Sequence, residues 1–115
     1  MPAHQAFQLA ELLARRAAAN SSYLEFLRRD SLSVGLYVLA KGAIDPQKPH
    51  GEDEVYYVVS GRARFRAGAE DLAVSAGATL FVKAGLEHRF HAIEEDLTVL
   101  VFFAPAEGTA ARDTV

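Results

Sequence analysis

The spacing of apolar residues changes once along the chain, near residue 20. Before that point they recur every three or four positions, which predicts a helix over Ala6–Ala19 that ends at Asn20. After it, apolar and polar residues alternate, as they do over 31–38, and a two-residue period is typical of a strand with one buried face. The sequence therefore predicts one helix followed by strands.

Turn residues, mainly glycine and proline, divide the rest of the chain into short predicted strands. Gly61 is interpreted as a hairpin turn, and the segments around Gly68 and Gly77 as further turns. The predicted strands are Tyr23–Arg29, 31–38, Glu54–Ser60, Arg62–Ala67, Thr79–Val82, Glu87–Ala92 and Leu97–Ala104. This spacing favours an all-β barrel or sandwich over 23–105, with a helix and lead-in over 1–22 and a loose tail over 106–115.

Composition narrows the classes of function. The chain has no cysteine, so disulfides and thiolate metal sites are excluded, and a metal would need nitrogen and oxygen ligands. A net charge of −3 argues against nucleic-acid binding, and the arginines at 62, 64 and 66 are interpreted as a solvated outer face. No segment approaches the roughly 20 apolar residues that span a bilayer. We expect a cytoplasmic protein without membrane or nucleic-acid partners.

His50, Glu54 and His88 are the candidate metal ligands. An extended chain, or a turn over 51–53, brings His50 to the side of Glu54. Glu54 shares its face with mostly apolar residues, and a buried carboxylate needs a cation, hydrogen-bond donors or a proton. His88 shares its face with Phe90. Each histidine also has an ordinary structural interpretation, in a solvated loop or a hydrogen-bonded core, and His4 and His91 are assigned no role.

These residues carry a resemblance to a known family. Gly42, His50, Glu54 and Gly61 match the first motif of the cupin superfamily, G(x)5HxH(x)3–4E(x)6G, and Gly77, Gly85 and His88 match the second, G(x)5PxG(x)2H(x)3N. The chain resembles a small single-domain cupin over most of its length after the helix. That resemblance implies a double-stranded β-helix, or jelly-roll barrel, that binds a divalent metal inside.

The chain departs from the motifs at three positions. Lys48 stands where the first motif has a histidine, while Lys83 and Ala92 replace the proline and asparagine of the second. The family's ligand set is thereby reduced to two histidines and one carboxylate, which suits Fe²⁺, Mn²⁺, Ni²⁺ or Zn²⁺. Gln47 or Glu52 would be a fourth ligand. Alternatively, Lys48 pairs with Glu54 and the pocket holds no metal.

Three functions are compatible with this sequence. The first is a metal-dependent enzyme, of dioxygenase or isomerase type, that acts on a small molecule. The second is a non-catalytic barrel that binds or senses a small ligand, and the third is an interaction protein. The strand Leu97–Phe103 is apolar on both faces, so we also expect the helix or a second copy of the chain to cover it, which predicts a homodimer.

Overall fold

A computed structural model describes residues 2–109. Within that range the chain forms one helix and six strands: α1 (Leu9–Ala18), β1 (Tyr23–Arg29), β2 (Leu32–Leu39), β3 (Asp53–Ala67), β4 (Glu70–Ser75), β5 (Thr79–Val82) and β6 (His88–Ala104). The strands pair antiparallel in the order β1-β2-β6-β3-β4, and β5 also pairs with β3. The predicted all-β architecture with one N-terminal helix is confirmed.

The predicted hairpin turn at Gly61 is wrong, because β3 continues through it. Gly61 has φ +98°, and the register of β3 against β6 shifts between Val58 and Arg64. The shift moves the buried positions from even to odd numbers, so Val58 and Ala63 both face the core. Glycine marks a turn and a β-bulge equally well, and the sequence pattern does not separate the two.

β6 is likewise one strand where two were predicted. Its buried hydrophobic positions change from even to odd numbers, from Phe90 to Ile93, Leu97, Val99, Val101 and Phe103. Ala92, where the family motif has asparagine, lies at this change with φ +47°. Asparagine adopts this left-handed conformation more readily than alanine. The long strands β3 and β6 therefore each contribute to both ends of the barrel.

β4 was not predicted as a strand: residues 70, 71 and 75 were interpreted as parts of turns, and 72–74 were left unassigned. It pairs with β3 from Arg62↔Ser75 to Ala67↔Glu70. Val74 is its only buried residue, so the strand lacks the alternating apolar pattern by which strands are detected. Close by, Arg62 pairs with Glu94, and Arg64 and Arg66 pair with Asp71, all three arginines being exposed as predicted.

The barrel core is built from the inward residues of β2, β3 and β6, including Leu39, Tyr56, Phe65, Phe90 and Val99. The helix packs on β1 and β2, where Leu12 is its one buried residue, and so covers only part of the sheet's outer face. A second part, here called the outer apolar surface, consists of Val55, Tyr57, Phe81, Leu100 and Phe102. Register places Val55 between Phe81 and Phe102, and Tyr57 beside Leu100.

The segment after β6 differs from the loose tail that was predicted over 106–115. Ala106 is buried and its N–H donates to the Asp30 carbonyl at 3.3 Å, while the N–H of Glu107 donates to Ser33 Oγ at 3.0 Å. Residues 106–109 are thus attached to the β1–β2 hairpin, and 110–115 lie outside the described residues. No helix within residues 2–109 has the length and apolar content needed to cross a membrane.

We predict that Gly61→Ala destabilises the fold more than Gly77→Ala. Both glycines have positive φ, +98° and +94°, so both substitutions carry a conformational cost on the order of 1–3 kcal/mol. A Cβ on Gly61 would also clash with the Asp96 carbonyl oxygen, whereas one on Gly77 would have no atom of residues 2–109 within 4 Å. Urea unfolding of both variants measures the difference. Equal loss of stability would contradict the close packing at the bulge.

Candidate functional site

The three predicted ligands reach the site from different parts of the fold. Glu54 lies near the start of β3 and His88 at the start of β6, both facing inward, while His50 lies in the loop between β2 and β3. The N–H of Gly85 donates to the His50 carbonyl at 2.7 Å, and the N–H of Ala84 to Asp53 Oδ1 at 2.9 Å. These two bonds join the loop that carries His50 to the turn that precedes His88.

The structure brings all three side chains together. Glu54 Oε1 lies 3.0 Å from His88 Nε2, and both side chains are 1% exposed. The ring of His50 lies 6.2 Å from that of His88 between centroids, and it packs edge-on against Phe103 at 4.8 Å. His50 remains partly exposed. Glu54 and His88 therefore form the buried centre, and His50 borders it from the solvent side.

Hydrogen bonds fix the protonation of one nitrogen of His88. Nδ1 lies 2.8 Å from the Leu86 carbonyl, which only accepts, so Nδ1 carries a proton. Nε2 lies 3.0 Å from the Tyr56 hydroxyl as well as 3.0 Å from Glu54 Oε1. Whether Nε2 carries a proton therefore depends on whether the Tyr56 hydroxyl donates a hydrogen bond to it or accepts one from it.

Asp45 was not among the predicted site residues. It determines the direction of the hydrogen bond between Tyr56 and His88. This buried carboxylate accepts from the Tyr37 hydroxyl at 2.6 Å, the Phe90 N–H at 2.9 Å and the side-chain amide of Gln47 at 3.0 Å. The Gln47 side-chain nitrogen thus faces Asp45, and the Gln47 side-chain oxygen accepts a hydrogen bond from the Tyr56 hydroxyl at 2.8 Å. Burial, and next the charge of Glu54, raise the pKa of Tyr56, so the phenol keeps its proton.

It follows that, when no metal is bound, the surroundings favour the imidazolium form of His88. Tyr56 uses its single proton on Gln47 and presents a lone pair to His88, so Nε2 must carry a proton to bond it. Burial opposes this charge, but the contact with Glu54, the bond to the Leu86 carbonyl and the charges of Glu54 and Asp45 together raise the pKa of His88. The imidazolium then balances the buried Glu54 carboxylate.

The residues also fit a metal ion. Neither Glu54 oxygen has a hydrogen-bond partner among residues 2–109, so the 3.0 Å approach to His88 is an electrostatic contact and both oxygens remain available to a cation. An imidazole that donates Nδ1–H to a backbone carbonyl is held as metal-binding histidines usually are. A metal lies about 2 Å from a coordinating nitrogen, so two coordinating rings have centroids roughly 5–6 Å apart. The 6.2 Å observed is just beyond that range.

Some rearrangement would accompany binding. In the described part of the chain, no three histidine, aspartate or glutamate side chains are already spaced as a metal site. His50 is the partly exposed member, so its approach to the Glu54–His88 pair would complete the site. Lys48 is exposed and forms no ion pair with Glu54 within residues 2–109, so the alternative in which it replaces the metal is not observed. Gln47 is engaged by Tyr56, and Glu52 is buried.

A cavity of about 220 Å³ opens beside His50. Its walls include Tyr23, Tyr37, Lys48, Phe103 and Glu107. This volume has room for several water molecules or one small organic molecule. The buried hydroxyl of Tyr23 has no hydrogen-bond partner within residues 2–109 and is available to such a molecule. No motif marks Tyr23 or Glu107, and only the fold places them here.

The chain is similar to several proteins of known sequence or structure. The family model described as "Cupin domain" matches residues 35–103. A Streptomyces coelicolor protein described as "Uncharacterized protein SCO3923" is 54% identical over 103 residues, which cover 90% of this chain and 98% of that protein. An RmlC-like cupin family protein from Methanocaldococcus jannaschii has a similar structure, with TM-score 0.69, 13% identity and coverage of 81% and 84% of the two chains.

An enzyme is also among the similar structures. The DMSP lyase DddQ from Ruegeria pomeroyi has TM-score 0.62 and 23% identity, and the match covers 66% of this chain and 39% of the lyase. At this identity the likeness concerns the fold alone.

We predict that the metal-free protein loses stability as the pH rises through the pKa of His88. A pKa raised above the ordinary 6.5 means that the folded state binds the proton more tightly than the unfolded state. The stabilisation is complete below pH 6.5 and disappears as His88 deprotonates. Urea unfolding with a chelator, across neutral to alkaline pH, should show this decline in the wild type and in His91→Gln, but much less of it in His88→Gln. An equal decline in all three would contradict the buried imidazolium.

Proposed function

This chain belongs to the cupin family, and from that premise we propose that its barrel binds a divalent transition metal through His50, Glu54 and His88 and acts on a small molecule in the adjoining cavity. Fe²⁺, Mn²⁺, Ni²⁺ and Zn²⁺ all suit two imidazoles and a carboxylate. The observation that carries the proposal is the buried Glu54 carboxylate, which accepts no hydrogen bond from the described part of the chain and faces an imidazole nitrogen.

Electrostatics support a cation at this position. A buried carboxylate without donors is costly unless a positive charge compensates it. The proton on His88 Nε2 supplies that charge in the metal-free protein. A metal held by His88 and Glu54 would supply a positive charge equally well, and the Nδ1–H of His88 would still donate to the Leu86 carbonyl. A proton and a metal ion would therefore compete for the same nitrogen, His88 Nε2.

The surroundings support a small organic partner. A bound metal would polarise an oxygen of the substrate as a Lewis acid or activate a bound small molecule. The chain itself supplies the apolar walls Val101 and Phe103, the Tyr23 hydroxyl, which has no partner within residues 2–109, and a rim with Lys48 and Glu107 as charged groups. DMSP lyase DddQ shows that this fold supports an enzyme, but fold alone does not select the reaction.

A second candidate is a barrel that holds or senses a small ligand without metal or catalysis. The contact between His88 and Glu54 favours it, because the pair is already compensated by the imidazolium. The same cavity would then be the ligand site. Metal content and turnover separate this candidate from the first.

We predict that the purified protein binds transition metal at close to one ion per chain. His88→Ala and Glu54→Ala should abolish binding, since each removes a buried ligand, and His50→Ala should weaken it strongly. Elemental analysis and titration with Zn²⁺ against a competing chelator measure the loss. His91→Ala is the matched control, because His91 lies on the outer side against Asp71, and it should bind normally.

Metal that remains in the His88, Glu54 and His50 variants would overturn the ligand assignment. Turnover needs a separate measurement, such as oxygen consumption with catechols, thiols and keto acids. A metal-loaded protein that converts none of these would favour the binding barrel.

We also propose a cytoplasmic homodimer. The absence of cysteine supports the location, and the outer apolar surface supports the dimer. In that surface Phe81 is 64% exposed and Tyr57 41% exposed, and contiguous exposed apolar residues commonly mark a protein interface.

We predict that Phe81→Glu converts a dimer into a monomer at micromolar concentration, because a charge would be buried at the interface. Light scattering after gel filtration measures the mass. Leu72→Glu is the control, since Leu72 is 42% exposed on β4, outside that surface, and the variant should stay dimeric. A monomeric wild-type protein would rule out the homodimer.

A further inference from the structure

Glu107 lies outside the part of the chain that matches the cupin model, which ends at residue 103. Main-chain bonds nevertheless hold it beside the site. Its N–H donates to the Oγ of the fully buried Ser33 at 3.0 Å, and its carbonyl accepts from Arg28 Nη2 at 2.9 Å. Because both bonds use the backbone of Glu107, its position does not depend on its side chain.

The carboxylate of Glu107 is directed at His50. Its Oε2 lies 3.6 Å from His50 Nδ1, with the two side chains 34% and 23% exposed. This is an ion-pair distance and slightly too long for a hydrogen bond. Burial and the nearby carboxylates of Glu25, Glu52 and Glu54 disfavour a charge on Glu107 and raise its pKa, while His50 lowers it. His50 is therefore the group that stabilises this carboxylate.

The same contact orients His50. Phe103 packs against the ring at 4.8 Å, and the His50 carbonyl is bound to the N–H of Gly85. With Nδ1 turned to Glu107, Nε2 is the ring nitrogen left to bind a metal. Carboxylates that take the second N–H of a metal-binding histidine fix its tautomer and make it a better ligand.

We propose that Glu107 is a positioning residue of the metal site. It holds His50 through Nδ1, so that Nε2 can complete the site formed by Glu54 and His88. The partly exposed His50 is the ligand that most needs such help, because the other two are fixed by burial. The inference rests on the proposed metal-binding function.

Zn²⁺ titration of the full-length protein tests it. Loss of an outer carboxylate typically weakens metal binding about 10- to 100-fold, and we expect that loss in Glu107→Ala. Glu107→Gln should recover most of the affinity, since its amide oxygen can accept from Nδ1–H once the 3.6 Å contact shortens to a hydrogen bond as His50 moves into the site. Glu70→Gln, which removes one carboxylate from the exposed start of β4, is the control and should bind normally.

A double variant shows whether Glu107 acts through His50. If it does, Glu107→Ala should weaken binding no further once His50→Ala is present. Additive losses, an unchanged affinity in Glu107→Ala, or failure of Glu107→Gln to recover would each overturn the positioning role; the last would indicate that the carboxylate binds the metal directly. A loss of thermal stability in metal-free Glu107→Ala that matches the loss in the Zn²⁺-loaded form would mean a structural role only. Wild-type protein that binds no Zn²⁺ would overturn the proposed function itself.

Discussion

The Glu54 carboxylate is buried at the centre of the barrel, and neither of its oxygens accepts a hydrogen bond from residues 2–109. Its charge is tolerable only beside a positive one, and His88 Nε2 at 3.0 Å is where that charge resides. A domain stabilised only by packing would have an apolar residue here. The arrangement is costly for stability and useful for binding a cation.

The second constraint is the chain of hydrogen bonds from Asp45 through Gln47 and Tyr56 to His88. Asp45 has its buried oxygens satisfied by donors from the barrel wall and the loop, so it fixes the direction of every bond that follows. That direction makes Nε2 a donor in the metal-free state. Under the proposed metal binding, the proton on His88 Nε2 would be lost, so this series of hydrogen bonds would link metal binding to proton release.

The long strands β3 and β6 make this assembly possible. Each carries an inward set of residues on both sides of an irregularity, at Gly61 in β3 and at Ala92 in β6. Glu54 and His88 lie on the ends of these strands that form the site, while the segment after β6 returns along the β1–β2 hairpin and brings Glu107 to the cavity. Residues outside the family match thus border the ligand space.

The sequence by itself determined the fold class, the helix and the limits of β1 and β5, because these follow from local periodicity and turn residues. It also named His50, Glu54 and His88, because their spacing follows a motif. It did not distinguish a turn from a bulge at Gly61, and it did not reveal β4, whose residues are nearly all exposed. The tertiary structure alone determined that Asp45, Tyr23 and Glu107 lie at the site. Their roles depend on contacts across tens of residues, such as that of Glu107 with Ser33, and such contacts leave no periodic trace in the chain.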